Sequence, residues 1–329
     1  MFFKCKNCEG NMVYSPEKKE MFCPYCDSLN SHVRSDQGKD VLTICPNCSG
    51  EITVGEYDAS GRCPYCDTYL IYNSRVEGEY LPKKIIPFKL GKEACKKAIR
   101  DRFGRQKFAP VDFLTEVKLD TIEGEYVPFW FYDYKTRCEF RAEGTKVRSW
   151  VNGNTRYTET SYYDIERNMD IPFENLPVDA SIKMPDEVMD MMEPYNYAEL
   201  EDFQPEYLSG FFSERYNMPS EELEQRASEK MNQAALGMLK SSYAGYARVE
   251  VKKQEITPMS KSASYGMLPV WKYNYTYQGK PYPFYVNGQT GKIVGECPLS
   301  KKKVWVYSGS LWVLLMLAFA LINGILRFL

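Results

Sequence analysis

Cys5-Lys6-Asn7-Cys8 and Cys23-Pro24-Tyr25-Cys26-Asp27 recur forty residues later as Cys45-Pro46-Asn47-Cys48 and Cys63-Pro64-Tyr65-Cys66-Asp67. Each copy reads CxxC, fourteen residues, CxxC. A CxxC turn gathers two thiols on one side of a tight loop, where backbone N–H groups favour the deprotonated sulfur. Two such turns supply the corners of a tetrahedron. Zn²⁺ takes four sulfurs at about 2.3 Å, and the closed shell leaves no position for water, so two structural zinc ions are expected. An iron centre of rubredoxin type uses the same ligands. Cross-braced sites, with pairs from different copies sharing a metal, are a further alternative. Separate sites are favoured because Cys5, Cys8, Cys23 and Cys26 form one complete set and Cys45, Cys48, Cys63 and Cys66 another. The expected ribbons span 1–33 and 41–75, with a polar linker at 31–40. Modules this small cannot bury enough apolar surface alone, so metal binding is folding energy.

Working outward, composition removes much familiar catalysis. His32 is the only histidine in 329 residues, which excludes His-based triads, His-rich metal centres and an HExxH helix. Gly291-Lys292 is followed by Ile293, so no P-loop forms, and neither GxSxG nor GxGxxG occurs. The expectation is a protein that is not an enzyme, with no small-molecule substrate. Cys95, Cys138 and Cys297 are left over and read as small buried hydrophobes.

The stretch 80–300 reads as an aromatic-rich α+β body. A helix is expected over 92–103, with Ala94, Cys95, Ala98 and Ile99 on one side. Strand-like runs follow at 113–119 and 126–139 and on to residue 165, turned at Asn152-Gly153-Asn154. A second helix is expected over 219–240, with Leu223, Ala227, Met231, Ala234 and Met238 as its apolar stripe. Strands return at 246–255, 268–277, 282–287 and 292–296, with turns at Gln278-Gly279-Lys280 and 287–291. Pro128-Phe129-Trp130-Phe131-Tyr132-Asp133-Tyr134 resembles Pro269-Val270-Trp271-Lys272-Tyr273-Asn274-Tyr275. Two related helix-plus-antiparallel-sheet halves are therefore expected, about 80–175 and 200–300.

From 304 to 326 there are 23 residues without a charge. As a helix this stretch reaches roughly 35 Å, enough for a hydrocarbon core of about 30 Å. Lys301, Lys302 and Lys303 precede it and Arg327 follows, so the positive-inside rule keeps the large N-terminal part cytoplasmic. The expectation is a single-pass tail anchor in the cell membrane, with only 327–329 emerging beyond it; a buried C-terminal helix or one lying on the membrane surface is the alternative. A reducing cytoplasm also suits eight paired thiols.

Charge is segregated although the chain nets only −2. Residues 83–107 hold ten bases against two acids, and 186–225 hold twelve acids against Arg215. The basic segment could bind nucleic acid, lie against anionic lipid, face the acidic segment, or simply be solvated. The near-zero total charge argues against a dedicated nucleic-acid binder.

The double ribbon, Ile85-Ile86-Pro87-Phe88-Lys89-Leu90, Pro128-Phe129-Trp130, Leu176-Pro177-Val178-Asp179-Ala180-Ser181, Tyr207-Leu208-Ser209-Gly210-Phe211 and Tyr285-Val286-Asn287-Gly288-Gln289-Thr290-Gly291-Lys292 together resemble a bacterial family. It is the TFIIB-type zinc-ribbon-containing membrane protein family, in its YdjG-like branch. The resemblance implies a zinc-binding, membrane-attached cytoplasmic protein that works beside flotillin-like and PspA-like partners. The expected function is a scaffold or adaptor recruiting proteins to the inner membrane surface in envelope stress. The alternative is a membrane-tethered nucleic-acid-binding protein using the ribbons and 83–107.

Overall fold

The computed structural model describes residues 1–35 and 43–326; part of the expected linker and the expected tail 327–329 lie outside them. The first cysteine module holds β1 (Phe2–Cys5), β2 (Val13–Ser15), β3 (Glu20–Phe22) and β4 (His32–Ser35), and the second holds β5 (Asp58–Arg62) and β6 (Tyr69–Ile71). β7 (Lys84–Ile85), α1 (Lys92–Phe103) and α2 (Glu116–Leu119) lead to the long hairpin of β8 (Glu123–Asn152) and β9 (Thr155–Asp179). After α3 (Asp186–Met192), β10 (Glu201–Asp202), β11 (Phe212–Glu214) and α4 (Ser220–Ser242) come β12 (Arg248–Tyr277), β13 (Lys280–Asn287), β14 (Ile293–Val294) and α5 (Lys301–Leu326). The class is mixed α+β.

Among the described residues ten strands form one sheet. Its centre runs β9-β8-β12-β13, each neighbour antiparallel. Both hairpins close in two residues. Asn152 pairs Thr155 around Gly153 at φ +62°, and Tyr277 pairs Lys280 around Gln278 and Gly279 at φ +51° and +76°. Positive φ matches the right-handed twist of the flanking strands, which is why glycine sits in each turn.

Alternation along β8 divides the body into layers. Tyr132, Tyr134, Cys138, Phe140 and Ala142 point to one face and are covered by Leu223, Ala227, Met231, Ala235 and Leu239 of α4. On that same face α1 packs Cys95, Ile99 and Phe103 against Tyr273 and Tyr275 of β12 and Phe284 of β13. Val127, Phe129 and Phe131 point to the opposite face, with Leu268 and Val270 of β12, and are covered by Met189 and Met192 of α3. β8, β9 and β12 run on as a three-stranded arm; α4 covers one face of its base, and on the other face Lys135, Arg137, Glu139 and Arg141 look to solvent. Ion pairs ladder that face: Arg137–Asp170 at 3.0 Å, Arg141–Glu166 at 3.0 Å and Lys253–Glu139 at 2.7 Å. At the tip Trp150 stacks on Tyr157, both exposed, with ring centroids 5.8 Å apart.

Four local expectations need correction. The run 113–119 is not a strand: the chain turns there and closes α2, because Phe113 is needed in the core beside Phe103 and Phe284. The runs 246–255 and 268–277 belong to one strand; its polar middle pairs with β8 through bulges at Val251/Lys253 and Pro258/Ser260. The stripe of α4 follows a strict i+4 spacing, so Ala235 and Leu239 are buried and Met238 is half exposed. In α1, Ala94 is exposed and Lys96 is buried.

Met231 sits at the centre of the α4 contact, fully buried, and its sulfur accepts from the Thr136 hydroxyl at 3.4 Å. Small Ala227 and Ala235 on either side let the helix lie close to the sheet. Met231→Ala should cost about 2–5 kcal/mol through the cavity left behind. A shift well below that in a urea titration would mean that α4 does not clamp the arm.

Candidate metal centres

Each cysteine module builds its cluster from two identical turns. In all four, the residue after the second cysteine is left-handed: Glu9 at φ +59°, Asp27 at +61°, Ser49 at +61° and Asp67 at +56°. Its N–H donates back to the first cysteine's carbonyl, and the first cysteine's N–H donates to the residue beyond: Gly10, Ser28, Gly50 or Thr68. Gly10 and Gly50 have a specific reason to be glycine. A Cβ there would meet the ring of Tyr25 at 2.5 Å or of Tyr65 at 2.6 Å, the tyrosine of the facing Cys-Pro-Tyr-Cys turn.

The turns bring Cys5, Cys8, Cys23 and Cys26 into one group and Cys45, Cys48, Cys63 and Cys66 into the other, with all ligand atoms of a group within 4.8 Å of one another. Each group is drawn from one copy. The closest Sγ–Sγ distances are 3.5 Å for Cys8–Cys23, 3.6 Å for Cys5–Cys26, and 3.7 Å for both Cys45–Cys66 and Cys48–Cys63. That is far outside disulfide length. It approaches the edge of about 3.8 Å that a tetrahedron with sulfurs at about 2.3 Å from its centre requires. The donor set therefore fits one thiophilic metal ion per group.

The electrostatics agree. Four thiols at this spacing resist ionising together without a cation. The Ser28 hydroxyl and N–H draw Cys26 down to about 6, while Cys8 is pushed up to about 12 against the N–H of Gly10, chiefly by Cys26 and Cys23. In the second group burial pushes Cys45 up to about 12; Cys66 falls to about 6 in spite of its burial, through Thr68 and Asn47. A divalent cation removes this competition by stabilising all four thiolates.

The clusters are tied to each other and to the body. Asn11 of the first module and Asn47 of the second both donate to the Thr68 hydroxyl at 2.8 Å, and Thr68 lies 3.2 Å from the Cys66 sulfur. The Tyr14 N–H donates to the Ser209 carbonyl and the Ser209 hydroxyl returns a bond to Met12. β5 and β6, joined by the second cluster's Cys63–Cys66 turn, are strands of the main sheet: Ser60 pairs Ser213 of β11, and their hydroxyls meet at 2.7 Å.

His32 pairs with Cys5 across β1 and β4, yet its ring lies edge-on to Phe3 and 3.8 Å from Glu206 and is not one of the clustered ligands. Cys95 and Cys138 are fully buried in the body and Cys297 is half-buried. The basic segment is partly consumed. Lys84 pairs Asp202 at 2.8 Å and Lys89 pairs Glu199 at 2.5 Å, so basic and acidic segments do meet. Lys96 is buried among Glu93, Glu116 and Asp120, and Arg100 reaches Glu116.

Sequence reading missed a polar cleft of about 270 Å³ between the second module and the sheet, lined by Asp58, Ser60, Glu125, Lys183, Glu214 and Lys272. Lys183 reaches both Asp58 and Glu214. Burial pushes the Glu125 carboxyl up to about 7, against the pull of Lys272 at 4.0 Å. Because the folded value lies above the ordinary 4.5, the folded state holds this proton after the unfolded chain has lost it. Stability should therefore fall as pH rises from about 4.5 to about 7, by about 3 kcal/mol, and then level off. Glu125→Gln should flatten that decline; an unchanged slope in denaturation at several pH values would place its origin elsewhere.

α5 bears directly on placement of these centres. Lys301–Gly324 has a mean hydropathy of 2.0, and none of its most apolar window is buried against the body. It is long and apolar enough to cross a membrane.

No family model matches the chain and no solved structure matches it. The uncharacterized protein YdjG of Bacillus subtilis (strain 168) is 38% identical over 313 residues, covering 92% of this chain and 91% of the relative. At that identity over that share of both sequences, the chain belongs to the YdjG family.

Proposed function

We propose that the protein is a membrane-anchored cytoplasmic adaptor. In this reading its head carries two TFIIB-type zinc ribbons, and α5 is a single cell-membrane span with the head on the cytoplasmic side. The metal is structural zinc: four sulfurs close the shell and leave no water position for catalysis. The body is a pair of related halves, α1 with β8–β9 and α4 with β12–β13. Each helix packs on the other half's hairpin, which supports the internal resemblance around Trp130 and Trp271.

The observation that carries the adaptor reading is the arm. β8 and β12 are each 30 residues long, which corresponds to roughly 100 Å of strand. The α5 attachment lies by the Glu123 end, because Phe108 bonds Ser300 and the adjoining Phe113 carbonyl accepts from Tyr273 near the end of β12. The Trp150–Tyr157 tip is at the other end. An anchor at one end and exposed aromatic side chains at the other suit capture of a soluble protein at a distance from the bilayer. Flotillin-like and PspA-like proteins, and a role in envelope stress, remain the partners and setting drawn from resemblance.

A photo-reactive residue in place of Trp150, in the full chain in native membranes, should crosslink to protein, and nuclease should not change the product. Crosslinks to nucleic acid alone would favour the alternative, a tethered nucleic-acid binder. That alternative is weakened because Lys84, Lys89, Lys96 and Arg100 already hold carboxylates.

A further inference from the structure

We infer that the loop 104–111, with the last turn of α1, is a second membrane contact that binds anionic lipid headgroups beside the anchor. This inference rests on the membrane-anchored reading above and names a partner for a surface that reading leaves unused.

The loop is fastened to the start of α5. The Ser300 N–H donates to the Phe108 carbonyl at 2.7 Å, the Phe108 ring meets Tyr307 edge-on at 5.5 Å, and Lys107 lies over the same Tyr307 ring at 5.9 Å. Tyr307 is less than two turns from Lys301, so the loop sits at the level where the helix enters the headgroups. Arg102, Arg105 and Lys107 are exposed there and form no ion pair among the described residues. With Lys301 and Lys302 exposed on the adjoining turn they make one basic collar. Nearby acids are largely committed: Glu116 holds Lys96 and Arg100, and Asp112 accepts from Tyr275 at 2.8 Å, leaving Asp101 in solvent.

Apolar exposure supplies the second, independent observation. Val111 is 84% exposed and Leu299 is 64% exposed, on either side of the Ser300–Phe108 bond. Bases with interleaved exposed apolar side chains, held next to a spanning helix, match an interface of phosphate headgroups over acyl chains. Nucleic acid would use the charge but has no use for Val111 and Leu299.

The test uses the full chain in nanodiscs of phosphatidylcholine alone or with phosphatidylglycerol, followed by amide hydrogen exchange. Exchange across 104–111 should slow several-fold when phosphatidylglycerol is present, and added salt should reverse the effect. Arg102→Glu with Arg105→Glu and Lys107→Glu should abolish the lipid dependence. Equal exchange of the unaltered chain in both lipids overturns the inference while leaving the anchor intact. Failure to enter either nanodisc overturns the anchored reading itself, and the inference with it.

Discussion

Replacing Cys63 and Cys66 by serine is expected to lower the metal content from two ions to one and to open the edge of the main sheet, whereas Cys23→Ser with Cys26→Ser should cost one ion and leave that edge closed. Metal binding to a four-sulfur module is worth about 10–16 kcal/mol in isolated peptides, which rivals the whole stability of a domain at about 5–15 kcal/mol. Losing it should unfold whatever the module alone supports. The two modules support different things. The first cluster closes two small two-stranded sheets, β1–β4 and β2–β3, and none of these strands enters the main sheet. The second cluster's Cys63–Cys66 turn joins β5 to β6, and β5 is the antiparallel partner of β11. Without that turn β11 keeps only its short parallel pairing to β8, at Phe212 and Ser213, and the Ser60–Ser213 hydroxyl pair is lost.

Two measurements separate the outcomes. Metal analysis should give one ion per chain for either double variant, and loss of both ions from one of them would mean that the sites depend on each other. Amide exchange at Phe212–Glu214 should rise by orders of magnitude only in the second-cluster variant. Equal protection in both variants would show that β11 does not rely on the cysteine hairpin.

The contrast between these modules also explains what was legible in the sequence. The clusters themselves were legible because a CxxC turn is local: spacing alone places two sulfurs, and the left-handed residues Glu9, Asp27, Ser49 and Asp67 follow from the same turn repeated. Helix α1 was found with its observed ends, between Gly91 and Gly104, because glycine flanks both ends of a run of helix formers. The role of β5 as a sheet strand was not legible. Its partner, Ser213, is 153 residues away, and Asp58–Arg62 carries no alternation that would distinguish a sheet strand from a ribbon hairpin. Lys96 looked like one more charge on a solvated face; only the fold brings Glu116 and Asp120 over it. Glu125 was hidden for the same reason, since the walls of its cleft come from Asp58, Lys183, Glu214 and Lys272. The continuity of β12 was masked by its polar middle, where only Val249 and Ile256 pack, half-buried, against the α4 core.

Removing 304–329 is expected to move the protein from the membrane fraction to the soluble fraction, and a single Leu315→Arg change should go most of the way. Twelve of the residues in 304–326 are Leu, Ile, Val or Phe. At about 0.3–0.6 kcal/mol each near the centre of a span they contribute about 4–7 kcal/mol toward insertion. Ser308, Ser310 and Asn323 offset part of this, and Asn323 is close enough to the far end to reach the interface. An arginine at the centre costs about 2.5–3.5 kcal/mol, and the leucine's own contribution is lost with it, so the remaining margin becomes small. Position 315 sits near the middle of α5, where the side chain cannot snorkel to either headgroup layer, and it is exposed with no body residue to shelter a charge. Leu81→Arg, at an exposed leucine of the head, is the matched control and should leave fractionation unchanged. The alternative is a helix that folds back onto the body. In that case the arginine variant would aggregate or unfold without changing compartment, and the truncated chain would lose thermal stability. Release of a folded, metal-loaded head by both changes is the outcome that assigns α5 to the bilayer; continued sedimentation of the truncated chain after a high-salt wash would sink it.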